Sequence, residues 1–212
     1  MADDAAELYD AILNGNAKKA EAVTKAALEA GADPADLVRN HMVRAMDEVG
    51  RRFECNEYFV PELLIAARAM KTALEMITPL LAKAGAEPAG RVVIGTVQGD
   101  LHDIGKNLVA SMLEGAGFQV TDLGVDVPAD RFVEAVRDRD GSILALSALL
   151  TTTMTMMKKV IDALEQAGVR HKVKVVIGGA PITQQYADEI GADGYADNAS
   201  TAVAQARKLV AK

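Results

Sequence analysis

Tryptophan is absent from this chain, and all aromatic residues together make up only 4% of it. Packing therefore falls to Ala, Leu, Val and Met, within a hydrophobic content of 50% that is enough for a sizeable core. One cysteine, Cys55, excludes an intrachain disulfide and suits a reducing cytoplasm. Basic residues are outnumbered, 23 Lys and Arg against 30 Asp and Glu, for a net charge of −7. That balance argues against nucleic acid as a partner, because phosphate binding needs a basic face. No apolar run is long enough to span a bilayer, and the acidic start MADDAAELYD is neither a secretory signal nor a membrane anchor. A cytoplasmic protein without membrane or nucleic-acid partners is expected.

The chain changes character near residue 85, and its 212 residues fit one large domain or two small ones. Before the break the patterns are helical. AAELYDAILNG is a short amphipathic helix stopped near Gly15, and a second helix runs from the N-cap Asn16 to a stop at Gly31. A third opens with Asp33 as N-cap and Pro34 in its first turn. A fourth opens at Pro61 and is kinked or ended by Pro79. Four helices with short connections predict an antiparallel bundle over 1–85, and the composition of KAGAEPAG marks a linker, placed at 86–90.

After Gly90 the rhythm becomes strand, loop, helix. RVVIGTV, FQVTDLG, SILALSAL, KVKVVIGG and DGYA read as strands. Helices are expected at 105–116, from Pro128 through PADRFVEAVRDR, and at 153–167, 182–190 and 199–211. Alternation of this kind predicts a flavodoxin-like (Rossmann-type) five-stranded parallel sheet over 91–212, with helices on both faces. Ligands in such sheets bind beyond the carboxyl ends of the strands.

GDLHDIGKN, residues 99–107, falls just past the first strand and holds Asp100 two residues before His102. Metal-bound histidines usually donate their second ring N–H to a carboxylate. A zinc site needs three or four protein ligands, and the loops at this edge supply no second histidine and no cysteine; His41 and His171 have no paired spacing. The pair suits a metal whose other ligands come from elsewhere, such as a macrocycle. It also suits a general base serving Ser111 or Ser147, although no G-x-S-x-G elbow is present. The bland reading is a loop histidine whose Asp neighbour caps the following helix, and Gly105 suits a phosphate-type turn.

Other features converge on the same sheet edge. The third strand ends in LALSALLTTTMTM, with Ser147, Thr151 and Thr153, and the fourth ends in VVIGGAP, with Gly178 and Gly179. Ser and Thr there are also ordinary helix caps, and a glycine pair is also an ordinary turn. Together they describe a slot with small walls and hydroxyls and one metal-capable histidine at its mouth. Cys55 reads as an incidental thiol, Met154, Met156 and Met157 as packing residues, and Lys18 and Lys19 as a solvated helix face.

DLHDIG (100–105), SAL (147–149) and GG (178–179) resemble, in order and spacing, the motifs of the corrinoid-binding family. Forty-one residues separate Gly105 from Ser147, and twenty-eight separate Leu149 from Gly178. VGRRFECNEYFVPELLIAARAMK (49–71) resembles the family's helical cap, so the likeness covers nearly the whole chain. It is greatest to the small two-domain corrinoid proteins of anaerobic methyltransferase systems and to the cobalamin-binding module of methionine synthase.

That resemblance implies a cobalamin or related corrinoid, in its methylcobalamin form during turnover. His102 is then the lower axial cobalt ligand, Asp100 accepts its other N–H, and Thr153 extends the relay where the methionine synthase module has a serine. Asp103, Ile104 and Gly105 belong to the same cofactor-binding motif. Ser147, Leu149, Thr151, Gly178 and Gly179 line the slot for the nucleotide tail, and Phe59 lies over the upper corrin face. The implied function is methyl transfer from a substrate-specific methyltransferase to a second methyltransferase acting on tetrahydrofolate or coenzyme M, with a reductive activase as a further partner. The chain is then a carrier subunit rather than a catalyst. Competing readings are a cobalamin-binding sensor module, a mutase subunit using adenosylcobalamin, and a flavodoxin-like module without corrinoid.

Overall fold

Leu63, Ala66, Met70, Ala73 and Ile77 recur at spacings of three and four, and all are buried on one face of a single helix in the computed structural model. The structure describes residues 2–83, 87–137 and 142–211. The chain divides into two compact units, Met1–Pro88 with Glu114–Gly117, and Ala89–Leu113 with Phe118–Lys212. Among the described residues no helix is long and apolar enough to cross a membrane.

The first unit is helical: α1 (Ala2–Leu13), α2 (Ala17–Glu29), α3 (Pro34–Asp36), α4 (Val43–Glu54) and α5 (Val60–Lys83). Asn16 caps α2 by accepting from Lys19 N–H at 3.0 Å, and Asp33 caps α3 by accepting from Ala35 N–H at 3.1 Å. Gly15 turns at φ 67, where an added Cβ would lie 2.4 Å from the Ile65 side chain. Two expectations are corrected. The stretch from Pro34 is not one α-helix, because Leu37–Met42 between α3 and α4 is π-helical. Leu37 and Met42 are both buried, and an α-helix would place residues five apart roughly 140° from each other; the wider π turn keeps both inward. At Pro79, where a kink or an end was expected, the end does not occur, since α5 continues to Lys83. The buried stripe up to Ile77 keeps the segment helical against the proline's missing N–H.

The second unit alternates β1 (Arg91–Thr96), α6 (Ile104–Gly115), β2 (Gln119–Asp122), α7 (Ala129–Val136), β3 (Ile143–Ser147), α8 (Thr155–Gln166), β4 (Lys174–Gly178), α9 (Gln184–Ile190), β5 (Gly194–Ala196) and α10 (Ala199–Val210). The last two residues expected for the helix from Pro128, 138 and 139, lie outside the described residues, as do residues 85 and 86 at the expected linker. All pairings are parallel, in the order β2-β1-β3-β4-β5. Val93, Leu144, Leu146, Val175 and Ile177 point to one face and join Phe132, Val136, Met157, Val160 and Ile161 of α7 and α8 in a single core. Val92, Ile94, Ile143 and Val176 alternate with them and are buried on the other face, where α10 lies along β4 and β5. Gly95 leaves room for Phe132, whose ring would be 2.8 Å from a Cβ at that position. In this strand order the connections reverse direction between β1 and β3, which opens a crevice at their carboxyl ends.

Candidate functional site

His102 leaves β1 at that reversal point. Gly99 turns at φ 83, and the next residue, Asp100, is fully buried. Thr96, at the end of β1, donates its hydroxyl to the His102 carbonyl at 2.9 Å, and Asp100 N–H donates to the Val97 carbonyl at 3.1 Å. The segment is thus held by one backbone bond and one threonine hydroxyl before the Asp100 carboxylate is considered.

The Asp100 carboxylate takes five donors. Its Oδ1 accepts from His102 N–H at 3.1 Å and stands 2.7 Å from His102 Nδ1. Its Oδ2 accepts from Leu149 N–H at 2.8 Å, Leu150 N–H at 3.3 Å and the Thr153 hydroxyl at 2.6 Å. Burial pushes the carboxyl pKa up, but the bonds from Thr153, Leu149 and His102 outweigh it and hold Asp100 well below the usual carboxylate range. An ionised carboxylate only accepts, so the proton between Asp100 and His102 sits on Nδ1. With Nδ1 donating to the carboxylate, Nε2 is the ring nitrogen left for another partner, on a side chain 50% exposed.

That arrangement fixes one hydrogen bond of the ring, at Nδ1. Among the described residues no group of three His, Cys, Asp or Glu could hold a metal ion. His102 Nε2 is therefore a candidate atom only for a metal whose other ligands come from elsewhere. Asp100 caps nothing in α6, so the bland reading does not describe it. Ser111, within α6, and Ser147, at the end of β3, are not bonded to the imidazole among the described residues; the hydroxyl in contact with the pair is that of Thr153, on the carboxylate side.

The surroundings suit a flat apolar ligand. Leu101, Ile104, Val125, Leu149 and Leu150 are large, exposed and all on loops or helix starts past the carboxyl ends of β1, β2 and β3. Gly105, in the first turn of α6, has nothing within 4 Å of an added Cβ. The protein's own packing does not require glycine there, whereas a ligand lying close would. Gly178 and Gly179 differ: a Cβ would meet the Ala196 carbonyl oxygen at 2.9 Å and the Ala148 carbonyl oxygen at 1.9 Å. Their missing side chains first admit neighbouring backbone. Thr151 is exposed beside Leu150, and Asp103 is exposed and accepts from the Asn107 side chain at 3.1 Å. Phe59 belongs to the first unit, 61% exposed just before α5.

Two groups escaped the sequence reading. Lys106 is buried and pairs with Asp122, and it donates to Asn107 Oδ1 at 2.6 Å. Asp126 bonds the His102 loop, a contact that only the positive-φ tendency of Asp in a Gly-rich turn could have suggested. His41 lies in the first unit, 3.9 Å from Asp36. His171 borders a cavity of ≈ 540 Å³ at the opposite, amino-terminal end of β4. Charges there are met within the protein, with Arg170 on Asp193 at 2.7 Å and on the Gly191 carbonyl at 2.7 Å. The chemistry is at the other edge.

A 2-1-3-4-5 parallel sheet with a carboxylate-backed imidazole at its reversal point is the arrangement to be matched against known proteins. A model of the B12 binding domain family matches residues 90–204, and a second model, also described as a B12 binding domain, matches residues 5–78. Trimethylamine corrinoid protein 1 of Methanosarcina acetivorans is 45% identical over 207 residues, covering 97% of this chain and 96% of the relative. Among solved structures, the methanol:cobalamin methyltransferase complex of Methanosarcina barkeri matches with a TM-score of 0.87 at 32% identity, over 99% of this chain and 80% of that one. A cobalamin-binding protein from Desulfitobacterium hafniense matches with a TM-score of 0.78 at 32% identity, over 95% and 96%. The chain belongs to the B12-binding domain family, and its cofactor is a corrinoid.

Proposed function

We propose that the chain carries a methyl group on a bound corrinoid, taking it from a substrate-specific methyltransferase and yielding it to a second one that acts on tetrahydrofolate or coenzyme M. His102 is the lower axial ligand in this reading. The observation that carries it is His102 Nδ1 standing 2.7 Å from the fully buried Asp100 carboxylate, which leaves Nε2 as the ring nitrogen for a ligand. When bound, the corrinoid supplies the cobalt at which the methyl group is accepted and released. The names of the similar proteins support a place in methyltransferase systems, and the 45% identity to a trimethylamine corrinoid protein supports a methylated amine as the methyl donor. A reductive activase is the further partner we propose. Residues 1–85 serve as the cap, with Phe59 toward the corrin, and residues 91–212 as the corrinoid-binding domain, joined by 86–90.

The chain's own groups do three things here. Leu149 N–H, Leu150 N–H and Thr153 keep Asp100 ionised. Asp100 holds the Nδ1 proton and makes Nε2 a stronger donor. The same carboxylate, bonded to both His102 N–H and Nδ1, also keeps the ring in one orientation. A hydrogen bond to a charged group contributes about 1.5–3 kcal/mol, so this contact shifts the ligation balance by about one to two decades. Gly105, Leu149, Thr151, Ser147, Gly178 and Gly179, with Asp103 and Ile104, form the walls along which the cofactor lies. The test is His102→Gly reconstituted with hydroxocobalamin and then methylated. We expect partial retention of cofactor and loss of the nitrogen-ligated absorbance spectrum. An unchanged spectrum of the methylated form overturns the assignment.

A further inference from the structure

We infer that Asp126 is a positioning residue for His102, acting through the backbone of the loop that presents it; the inference rests on His102 being the axial ligand. Asp126 lies between β2 and α7 and adopts φ 53, a left-handed conformation that an ordinary side chain disfavours and Asp or Asn tolerates best. Non-glycine residues held there cluster where the surroundings require them. Here the requirement is visible. Asp126 Oδ1 accepts from Gly99 N–H at 2.7 Å, and Asp126 N–H donates to the Asp100 carbonyl at 3.0 Å. One residue thus closes bonds on two consecutive residues, Gly99 and Asp100, three and two positions before His102.

The platform behind it is firm. Thr96 N–H donates to the Gly124 carbonyl at 3.0 Å, Val127 N–H donates to the Thr96 carbonyl at 3.0 Å, and Val97 and Val127 form a parallel bridge. Asp122 Oδ1 accepts from Gly124 N–H at 2.9 Å, while its other oxygen takes the buried Lys106 ammonium. Asp126 therefore joins an anchored segment to the one stretch whose position sets where the Asp100 carboxylate, and hence the imidazole, stands. A ligand must be held within roughly 0.5 Å of its productive place by such supporting contacts.

Two substitutions separate bracing from general stability. Asp126→Gly removes the carboxylate while favouring the same φ, and Asp126→Asn keeps both an acceptor and tolerance of the turn. With hydroxocobalamin-loaded protein, Asp126→Gly is expected to raise the ratio of His-dissociated to His-ligated absorbance about five-fold, and Asp126→Asn to stay near wild type. In the protein without cofactor, amide exchange of Gly99 should accelerate in the Gly variant and not in the Asn variant. His102→Gly runs alongside as a reference. If it shifts the spectrum and Asp126→Gly does not, positioning is refuted while the ligand assignment stands. A Gly variant that melts earlier yet keeps the wild-type ratio when loaded refutes it equally. If His102→Gly leaves the spectrum unchanged, both fall.

Discussion

Asp100→Asn changes one atom and reverses the imidazole's tautomer. The carboxylate faces five donors, two on Oδ1 and three on Oδ2. An amide offers one acceptor oxygen and one donor nitrogen. With its oxygen toward His102, the amide nitrogen confronts the N–H groups of Leu149 and Leu150 and leaves two donors unsatisfied. With the oxygen turned toward them, only His102 N–H is left without an acceptor, and the amide nitrogen donates to Nδ1. Each buried, unsatisfied donor costs about 1–3 kcal/mol, so the second orientation wins by about that amount. Nδ1 must then accept, and the ring proton moves to Nε2, where it blocks ligation. The equilibrium for His ligation should fall by about one to two decades, before the lost negative charge is counted. Ring-nitrogen NMR of cofactor-free protein reads the tautomer directly, and the absorbance of the hydroxocobalamin-loaded variant reads ligation. A variant that keeps Nε2 unprotonated and the nitrogen-ligated spectrum refutes the reasoning, because Asp100 would then set neither tautomer nor affinity.

Three further outcomes follow, two from glycines at the same sheet edge and one from Asp100. Gly179→Ala places a methyl 1.9 Å from the Ala148 carbonyl oxygen at φ 134, which should destabilise the protein by about 3 kcal/mol or more in urea unfolding. Gly105→Ala meets nothing and should stabilise cofactor-free protein by about 0.5 kcal/mol while lowering cobalamin occupancy; equal effects of the two substitutions would remove the distinction. Asp100 also predicts an acid response. Its folded pKa lies below its ordinary value of 3.8, so its contribution is fully present above about pH 4 and lost as pH falls toward the folded value. Urea titrations from neutral pH downward should show stability falling more steeply below about pH 4 in wild type than in Asp100→Asn, and superimposable slopes would contradict this.

Much of the architecture was legible because periodicity and capping are local. Asn16 and Asp33 cap the helices they were expected to cap, and the five strands occur where apolar runs predicted them. The π-helical turn at Leu37–Met42 was not legible, since a five-residue gap between apolar positions reads as noise in a 3.6-residue pattern. Of the two effects expected of Pro79, a kink or an end, the end does not occur, since the helix runs on to Lys83. At the site, Asp100, His102 and Thr153 were named from their side chains and stand in one hydrogen-bonded line. The Leu149 and Leu150 amides that share Asp100 were invisible as donors, because every residue but proline has an N–H and only the fold aims it. Asp122 and Lys106 lie 16 residues apart on different elements, and no short motif joins them.

With both oxygens of Asp100 filled by donors from elsewhere in the unit, its charge cannot come and go with the traffic outside. Around neutral pH it is a constant counter-charge, not a proton store. Whatever docks at this edge therefore meets an imidazole backed by a fixed negative charge.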